Sequence, residues 1–262
     1  MLKRLMIAAT AVAALVALAA PAYAADLSEG DVDIGIAYED DAWDLHVHDH
    51  DNDIEYEPDE AVLQVVPEAE TTVPINPNYS FLGSPGDPVW VLPQVEEEGL
   101  LALGFGLEEL EAGVFLTDHV TLNLVGLSGP GQMAVYTTDP FGEPEDIYFN
   151  SGDGIGPSDF VALEAGSHSH ANWAFSAPGT YEVTFEASGT LVEGNTFTSS
   201  GPVTYTVQVL SDSVGGIVSL PVAGESTGTS LASLATPLAA IIVGLAVVSG
   251  IVLFARKRST QS

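Results

Sequence analysis

A strict alternation of apolar and polar side chains is the feature that most limits how this chain can fold. In residues 180–187, which follow an Ala-Pro-Gly turn at 177–179, every second side chain is apolar. Side chains with a period of two share one face of a strand, so this run predicts a half-buried strand. About nine short segments of this type, without a convincing amphipathic helix, predict an all-β fold. We expect an antiparallel, immunoglobulin-like β-sandwich, with a jelly roll as the alternative.

Two segments near the N-terminus are predicted as the first strands, and the second of them is rich in histidine. Residues 31–37 form the first predicted strand and residues 43–48 the second. His46 and His48 fall on the polar face of the second strand, and His50 continues the same alternation. Aspartates surround these three histidines, so the group is a reserve candidate for metal ligation. A solvated hairpin tip is the simpler interpretation.

A second histidine pair lies just upstream of the strand at 180–187. His168 and His170 are two residues apart, so in an extended segment both imidazoles point to the same side. Two neutral imidazoles that converge on one point can form half of a metal site, which needs three or four ligands in all. The simpler alternative is a pair of polar surface residues near a turn.

Two stretches between the predicted strands are expected to lack strand structure. Residues 139–159 hold several glycines and prolines, which predicts a long loop before the histidine pair. Residues 108–111 read Glu-Glu-Leu-Glu and predict at most a single helical turn. Such a turn is too short to organise the rest of the chain.

The sequence around the histidine pair resembles a known family. Residues 168–185, which read HSHANWAFSAPGTYEVTF, resemble the signature of the actinobacterial surface-anchored domain, also called the choice-of-anchor M domain. Further segments resemble that family in order, at residues 72–74, 81–83, 89–94, 103–106, 128–131 and 136–142. The resemblance covers about residues 28 to 210. It implies a domain that occurs beside metal-type ABC transporters and is held on the cell surface by a C-terminal anchor.

The resemblance also bears on which side chains would hold a metal ion. Members of the family commonly read Gly-His-Val-Asp where this chain has Gly-Asp-Val-Asp at residues 30–33. We expect Asp31 or Asp33 to complete a site with His168 and His170. A carboxylate oxygen in place of an imidazole nitrogen shifts the preference toward harder ions such as manganese, while zinc remains open. The reserve ligands are His46, His48, His50 and His119, and the expected supporting and packing residues are Asn172 and Trp173.

The distribution of charge excludes several classes of ligand. All five basic residues lie at positions 3, 4 and 256–258, whereas all 37 acidic residues lie between Asp26 and Glu225. Such a negative field repels nucleic-acid phosphates and anionic lipids, so nucleic-acid binding is not expected. It concentrates cations instead, although solubility alone would also account for the acidity. The chain has no cysteine, so neither disulfides nor thiolate ligands contribute.

Both ends of the chain carry targeting signals. Lys3 and Arg4 precede an apolar run and an Ala-x-Ala site, which predicts a secretory signal peptide at 1–24, with an N-terminal membrane anchor as the alternative. Residues 25–210 are then the β-sandwich domain and 211–236 a Ser/Gly/Thr-rich stalk. Residues 237–255 are predicted as a transmembrane anchor and 256–262 as a basic cytoplasmic tail. We therefore expect a protein of the cell surface whose C-terminus is cytoplasmic.

A short motif in the stalk resembles a sortase sorting signal. The motif consists of Leu220, Pro221, Val222, Ala223 and Gly224, followed by the apolar span and the basic tail. Ala223 stands where the usual pattern has threonine. Covalent attachment to the cell wall by a sortase is therefore one alternative, and a retained transmembrane anchor is the default.

The sequence contains no recognisable catalytic constellation, so no enzymatic activity is expected. It has no G-x-S-x-G elbow, no cysteine nucleophile, no H-E-x-x-H helix and no glycine-rich phosphate loop. The expected function is extracellular binding of a divalent metal ion, zinc or manganese, that supports uptake by an associated ABC transporter. The alternatives are a structural or adhesive surface module without metal, and haem capture by histidine and tyrosine side chains.

Overall fold

A computed structural model describes residues 24–212 of the chain. The predicted domain at 25–210 falls inside these residues. The predicted signal peptide, apart from Ala24, lies outside them, as do the stalk beyond residue 212, the sorting motif, the transmembrane anchor and the basic tail. No helix within residues 24–212 combines the length and the apolar character that crossing a membrane requires.

The described residues form seventeen strands, joined by turns and four short 3-10 helices. In chain order the strands are β1 (Ala25–Leu27), β2 (Gly30–Glu39), β3 (Ala42–Asp49), β4 (Ile54–Tyr56), β5 (Ala61–Val65), β6 (Glu70–Thr72), β7 (Pro88–Leu92), β8 (Leu101–Gly106), β9 (His119–Ser128), β10 (Met133–Thr138), β11 (Pro144–Asn150), β12 (Phe160–Glu164), β13 (His168–His170), β14 (Asn172–Phe175), β15 (Gly179–Thr190), β16 (Phe197–Ser199) and β17 (Val203–Val209). The 3-10 helices are Pro67–Ala69, Pro77–Leu82, Leu116–Asp118 and Glu193–Asn195. The prediction of an all-β fold is confirmed.

The strands assemble into three sheets, an arrangement consistent with a β-sandwich. A seven-stranded sheet has the order β1-β5-β17-β15-β9-β12, with β16 paired to β15. One five-stranded sheet has the order β11-β10-β14-β7-β6, and the other has the order β13-β8-β2-β3-β4. We call the last of these the histidine sheet, because five of the six histidines lie on its strands or, in the case of His50, directly after one.

Most neighbouring strands are antiparallel, as predicted, but three pairs in the described residues are parallel. These pairs are β1 with β5, β5 with β17, and β2 with β8. The two strands of each pair are far apart in sequence, and alternation within a segment does not encode the direction of a distant neighbour. The pair β2–β8 lies at the centre of the histidine sheet, so it decides which side chains meet there.

The predicted strand at 180–187 is confirmed and forms part of the hydrophobic core. It lies within β15, which buries every second side chain from Tyr181 to Ala187. Phe185 packs edge-on against Trp173, with ring centroids 6.1 Å apart. The indole Nε1 of Trp173 donates a hydrogen bond of 2.9 Å to the carbonyl oxygen of Leu103. This bond joins Trp173 of β14 to β8, which is a strand of the histidine sheet.

The loop prediction for residues 139–159 needs correction, whereas residues 108–111 stay within the predicted limit of a single turn. The predicted loop at 139–159 contains β11, which pairs with β10. Phe149 is the single buried residue of this strand, so the run lacks the alternating apolar side chains that mark a half-buried strand in a sequence. Residues 108–111 form a turn rather than a helical one, because a single helical turn has too few hydrogen bonds to be stable alone.

The first strand of the histidine sheet has two chemically different faces. On β2, Val32, Ile34 and Ile36 point into the hydrophobic core, and each is 1% exposed. The intervening residues Asp31, Asp33 and Gly35 point to the opposite face. This second face carries no large apolar group and is therefore available for a polar site.

Candidate metal centre

The candidate site lies on the face of the histidine sheet that points away from the hydrophobic core. Directly paired residues have their side chains on the same face of a sheet, so the strand register defines rows of neighbours. One row is His170, Gly104, Asp33 and His48, and the next is His168, Gly106, Gly35 and His46. The rings of each pair lie on one side of their strand, as the period of two predicts, and the strand pairing places both pairs on the same face.

Three glycines in these rows leave the space that the polar side chains occupy. A methyl group at Gly104 would collide with Oδ1 of Asp33, and one at Gly106 would lie 2.7 Å from Oδ2 of the same carboxylate. A methyl group at Gly35 would collide with the ring of His46. Glycine within a strand often marks such a close approach. At these positions it is required by the side chains above it, not by the backbone angles.

Four side chains from two strands bring their ligand atoms together. Asp31 and Asp33 come from β2, His168 and His170 from β13, and their ligand atoms all lie within 4.8 Å of one another. The Nε2 atoms of the two histidines are 2.7 Å apart. Nε2 of His170 lies 3.1 Å from Oδ1 of Asp31 and 3.9 Å from Oδ1 of Asp33. Nε2 of His168 lies 3.2 Å from Oδ2 of Asp33 and 3.8 Å from Oδ1 of Asp31. Ligands that share one zinc ion at about 2.0–2.2 Å lie at most about 4.4 Å apart. All five distances meet this limit.

Two carboxylate oxygens of this group are buried without a hydrogen-bond partner. They are Oδ1 of Asp31 and Oδ1 of Asp33, and the Asp33 residue as a whole is 0% exposed. An unpaired buried polar group costs about 1–3 kcal/mol. The chain has no lysine or arginine between residues 5 and 255 that could pair with this charge. A cation held between the four side chains would pair with both oxygens, so the ligand set fits a divalent metal ion.

Burial dominates the ionisation of Asp33. Desolvation raises the pKa of the Asp33 carboxyl above its ordinary value of 3.8, and the nearby His168, His50 and His170 oppose this rise only in part. In the absence of a cation, the ionised carboxylate is therefore in an unfavourable environment at neutral pH. A positive charge within a few ångströms would favour the ionised form.

Two further side chains complete the surroundings of the four. Oε1 of Glu108 lies 3.2 Å from Nδ1 of His168, and Nε2 of His50 forms a hydrogen bond of 3.1 Å with Oδ2 of Asp33. A metal-ligating histidine commonly donates its other ring N–H to a carboxylate, which fixes the tautomer. Glu108 is placed to do this for His168 and leaves Nε2 of that ring for the ion. Ligand atoms of Asp33, His50, Glu108 and His168 also lie within 4.8 Å of one another.

Sequence reasoning missed Glu108 and ranked His50 only among the reserves. Glu108 follows Gly104 and Gly106 at the same period of two, which is the one local signal for its position. That signal could be used only with the knowledge that β8 lies beside β13. Because residues 108–111 were predicted only as a turn, Glu108 was not considered as a ligand.

The imidazoles form a continuous row across the histidine sheet. Neighbouring ring centroids are 6.2 Å apart for His46 and His48, 4.0 Å for His48 and His50, 5.0 Å for His50 and His168, and 4.8 Å for His168 and His170. Burial is the largest cause that lowers the pKa of His48, followed by the neighbouring His50 and His46. His48 is therefore biased toward its neutral form, the form of imidazole that binds metal.

Three of the predicted residues make their contacts elsewhere. His119 begins β9 in the seven-stranded sheet, and its Nδ1 contacts the carbonyl oxygen of Thr117. The side chain of Asn172 bonds to Gln94 and to residues of β10, not to the imidazoles. Trp173 is buried in the core and acts through the hydrogen bond to β8 described above.

An acidic cleft opens beside Asp31. Its volume is about 440 Å³, and its lining includes Asp31, Asp51, Glu29 and the three glutamates at 96–98. A cleft lined by one sign of charge focuses the field and raises the local concentration of counter-ions. The cleft therefore favours the approach of cations to the four-residue group.

Comparisons with protein-family models, with curated proteins and with solved structures find no significant match. The resemblance to the actinobacterial surface-anchored domain therefore stays a prediction.

Proposed function

We propose that this protein binds a divalent metal ion outside the cell through Asp31, Asp33, His168 and His170. The observation that carries the proposal is that Oδ1 of Asp31 and Oδ1 of Asp33, both buried without a hydrogen-bond partner, face the two imidazole nitrogens at 3.1–3.9 Å. The role is binding rather than catalysis.

The ligand chemistry favours zinc or manganese. Two imidazole nitrogens and two carboxylate oxygens are a set that zinc accepts in tetrahedral geometry. Carboxylate oxygens also suit manganese, and each oxygen that replaces a nitrogen shifts the preference in that direction. The charge of a divalent ion balances the two carboxylates, and no lysine or arginine between residues 5 and 255 could do so instead.

A role in metal capture at the cell surface follows from the rest of the sequence. The predicted signal peptide and C-terminal anchor would place the domain outside the membrane, with the anchor crossing it. The acidic surface would gather cations, and the resemblance to the surface-anchored family would make a metal-type ABC transporter the partner. Use of the motif at 220–224 by a sortase would attach the domain to the cell wall instead.

We also propose that the sandwich is immunoglobulin-like. In the constant-type arrangement, strands A, B, E and D form one sheet and C, F and G the other. We letter the strands β6, β7, β9, β10, β14, β15 and β17 as A to G in chain order. The order β6-β7-β14-β10 then reads A-B-E-D, and the order β9-β15-β17 reads C-F-G. The hydroxyl of Tyr181, near the start of β15, donates a hydrogen bond of 2.7 Å to the carbonyl oxygen of Ala177. The tyrosine corner of the immunoglobulin fold has a bond of the same kind. The histidine sheet is then an addition to the sandwich.

Calorimetric titration tests the proposed metal site. Protein purified without chelator and then stripped of metal should bind zinc or manganese, and the double variant His168→Ala/His170→Ala should lose this binding. His119→Ala is the matched control, because it removes a histidine outside the histidine sheet and should leave binding unchanged. Undiminished binding by the double variant would contradict the proposal. Metal-free protein that instead gives a Soret band with haemin would favour haem capture.

A further inference from the structure

We propose that the histidine sheet holds a second divalent cation, at His46, Glu55 and Glu109. The choice of ion rests on the proposed function, but the ligands do not. None of the three residues belongs to the first group of Asp31, Asp33, His168 and His170. The group of Asp33, His50, Glu108 and His168 shares two residues with the first and is treated as part of that site.

Three separate elements converge to form this second group. His46 lies on β3, Glu55 on the neighbouring strand β4, and Glu109 in the turn that follows β8. One ligand atom from each residue lies within 4.8 Å of the other two. His46 and Glu55 belong to adjacent strands of one hairpin, whereas Glu109 is more than fifty residues further along the chain and reaches them only through the fold.

The state of His46 is a second and independent observation. This residue is 5% exposed, and its Nδ1 is buried without a hydrogen-bond partner. Nδ1 forms an ion-pair contact with Oδ1 of Asp44 at 3.8 Å, and this distance is too long for a hydrogen bond. Buried side-chain nitrogens are normally satisfied, so an unpaired one needs an explanation. A cation held between His46, Glu55 and Glu109 would give the buried imidazole a partner.

The space around His46 is suited to a small ligand. His46 lines a cleft of about 250 Å³ together with His48, His50 and Glu109. The ring lies over Gly35, where any side chain would collide with it. The glycine therefore makes room for the ring in the position that lines this cleft.

The charges of the two sites are compatible with simultaneous occupancy. Each site has two carboxylates, Asp31 and Asp33 in the first, Glu55 and Glu109 in the second. Two carboxylates and neutral imidazoles cancel the charge of one divalent ion, so two filled sites would not repel each other strongly. His48 and His50 lie between the sites in the row of imidazoles and would supply intermediate ligands for an ion that moves from one site to the other.

Metal content measured by mass spectrometry, on full-length protein loaded with zinc and dialysed, tests this inference. We expect two zinc ions per chain, one for each group. His46→Ala and Glu55→Gln should each lower the content to one ion. Glu55 is exposed, so its variant keeps the inference testable if loss of the buried His46 prevents folding. His119→Ala should retain both ions.

The outcomes separate the two proposals. One ion per chain, lost in His168→Ala/His170→Ala but kept in His46→Ala and Glu55→Gln, would overturn the second site and leave the first. One ion lost only in the His46 and Glu55 variants would support the second site and overturn the first. Two ions that persist in both of these variants would overturn the second site, and no bound zinc would overturn both.

Discussion

Replacing Asp33 by asparagine should change stability in opposite directions with and without metal. The substitution keeps the size of the side chain and removes a negative charge from a residue that is 0% exposed. One oxygen of this carboxylate has no hydrogen-bond partner, and a buried group of that kind costs about 1–3 kcal/mol. Asparagine leaves this polar atom unpaired as well but carries no charge to desolvate, so metal-free Asp33→Asn should be more stable than the metal-free wild type by about 1–3 kcal/mol near neutral pH.

The gain should depend on pH in a defined direction. Burial raises the pKa of Asp33, so the folded metal-free protein holds this proton more tightly than the unfolded chain does. By linkage, the wild-type free energy of unfolding falls as the pH rises above the ordinary value of 3.8. Asparagine does not titrate. The advantage of the variant should be largest near neutral pH and should disappear in acid, where the carboxyl is protonated in both states.

Saturating zinc should reverse the order of stability. A ligand present at 100 times its Kd stabilises the folded state by about 2.7 kcal/mol. The variant loses one of four ligands and one of the two charges that balance the ion, so it should gain much less. Wild-type protein with zinc should then be more stable than Asp33→Asn with zinc.

Thermal unfolding followed by circular dichroism, in chelator and in excess zinc, measures both effects. A change of 1 kcal/mol shifts the Tm of a domain of this size by about 2–4 °C. Asp159→Asn is the matched control, because Asp159 is also buried but its two carboxylate oxygens accept backbone N–H groups at 2.7 and 2.8 Å. It should be destabilised in both conditions. If metal-free Asp33→Asn is destabilised in the same way, burial of the Asp33 charge does not destabilise the metal-free protein.

Three further predictions concern the surroundings of the site. Glu108→Gln should lower zinc affinity about 10–100-fold, because it weakens the partner of His168; an unchanged Kd would show that Glu108 does not orient the ring. Replacing the three glutamates at 96–98 by glutamine should slow zinc association at low salt and reduce its salt dependence, and identical stopped-flow rates would argue against steering by the cleft. Trp173→Phe should lower the free energy of unfolding by about 1–3 kcal/mol, because the buried carbonyl of Leu103 loses its donor; an unaltered denaturation midpoint would contradict this.

Local periodicity accounts for the parts of the structure that the sequence predicts well. The run at 180–187 forms a strand because alternation is a property of the extended backbone itself. For the same reason, the spacing of His168 and His170 was sufficient to place both rings on one side. The resemblance to a family supplied Asp31 and Asp33, which periodicity alone would not have paired with these histidines.

Contacts between distant strands account for the parts that the sequence does not predict. Glu108 meets His168 only because β13 pairs with β8, and His50 meets Asp33 only because β3 pairs with β2. The parallel pairing of β2 with β8 has no local signature. The glycine at position 104 is equally uninformative in the sequence, since its function is to make room for a carboxylate from another strand.

The position of a bound ion decides whether Asp31, Asp33, His168 and His170 form a metal site. Crystals of the zinc-loaded protein, measured at the zinc absorption edge, would give an anomalous difference map. We predict a peak about 2.0–2.2 Å from Nε2 of His168, Nε2 of His170 and at least one carboxylate oxygen of Asp31 or Asp33. A fully loaded protein with no peak between these four side chains would contradict the account.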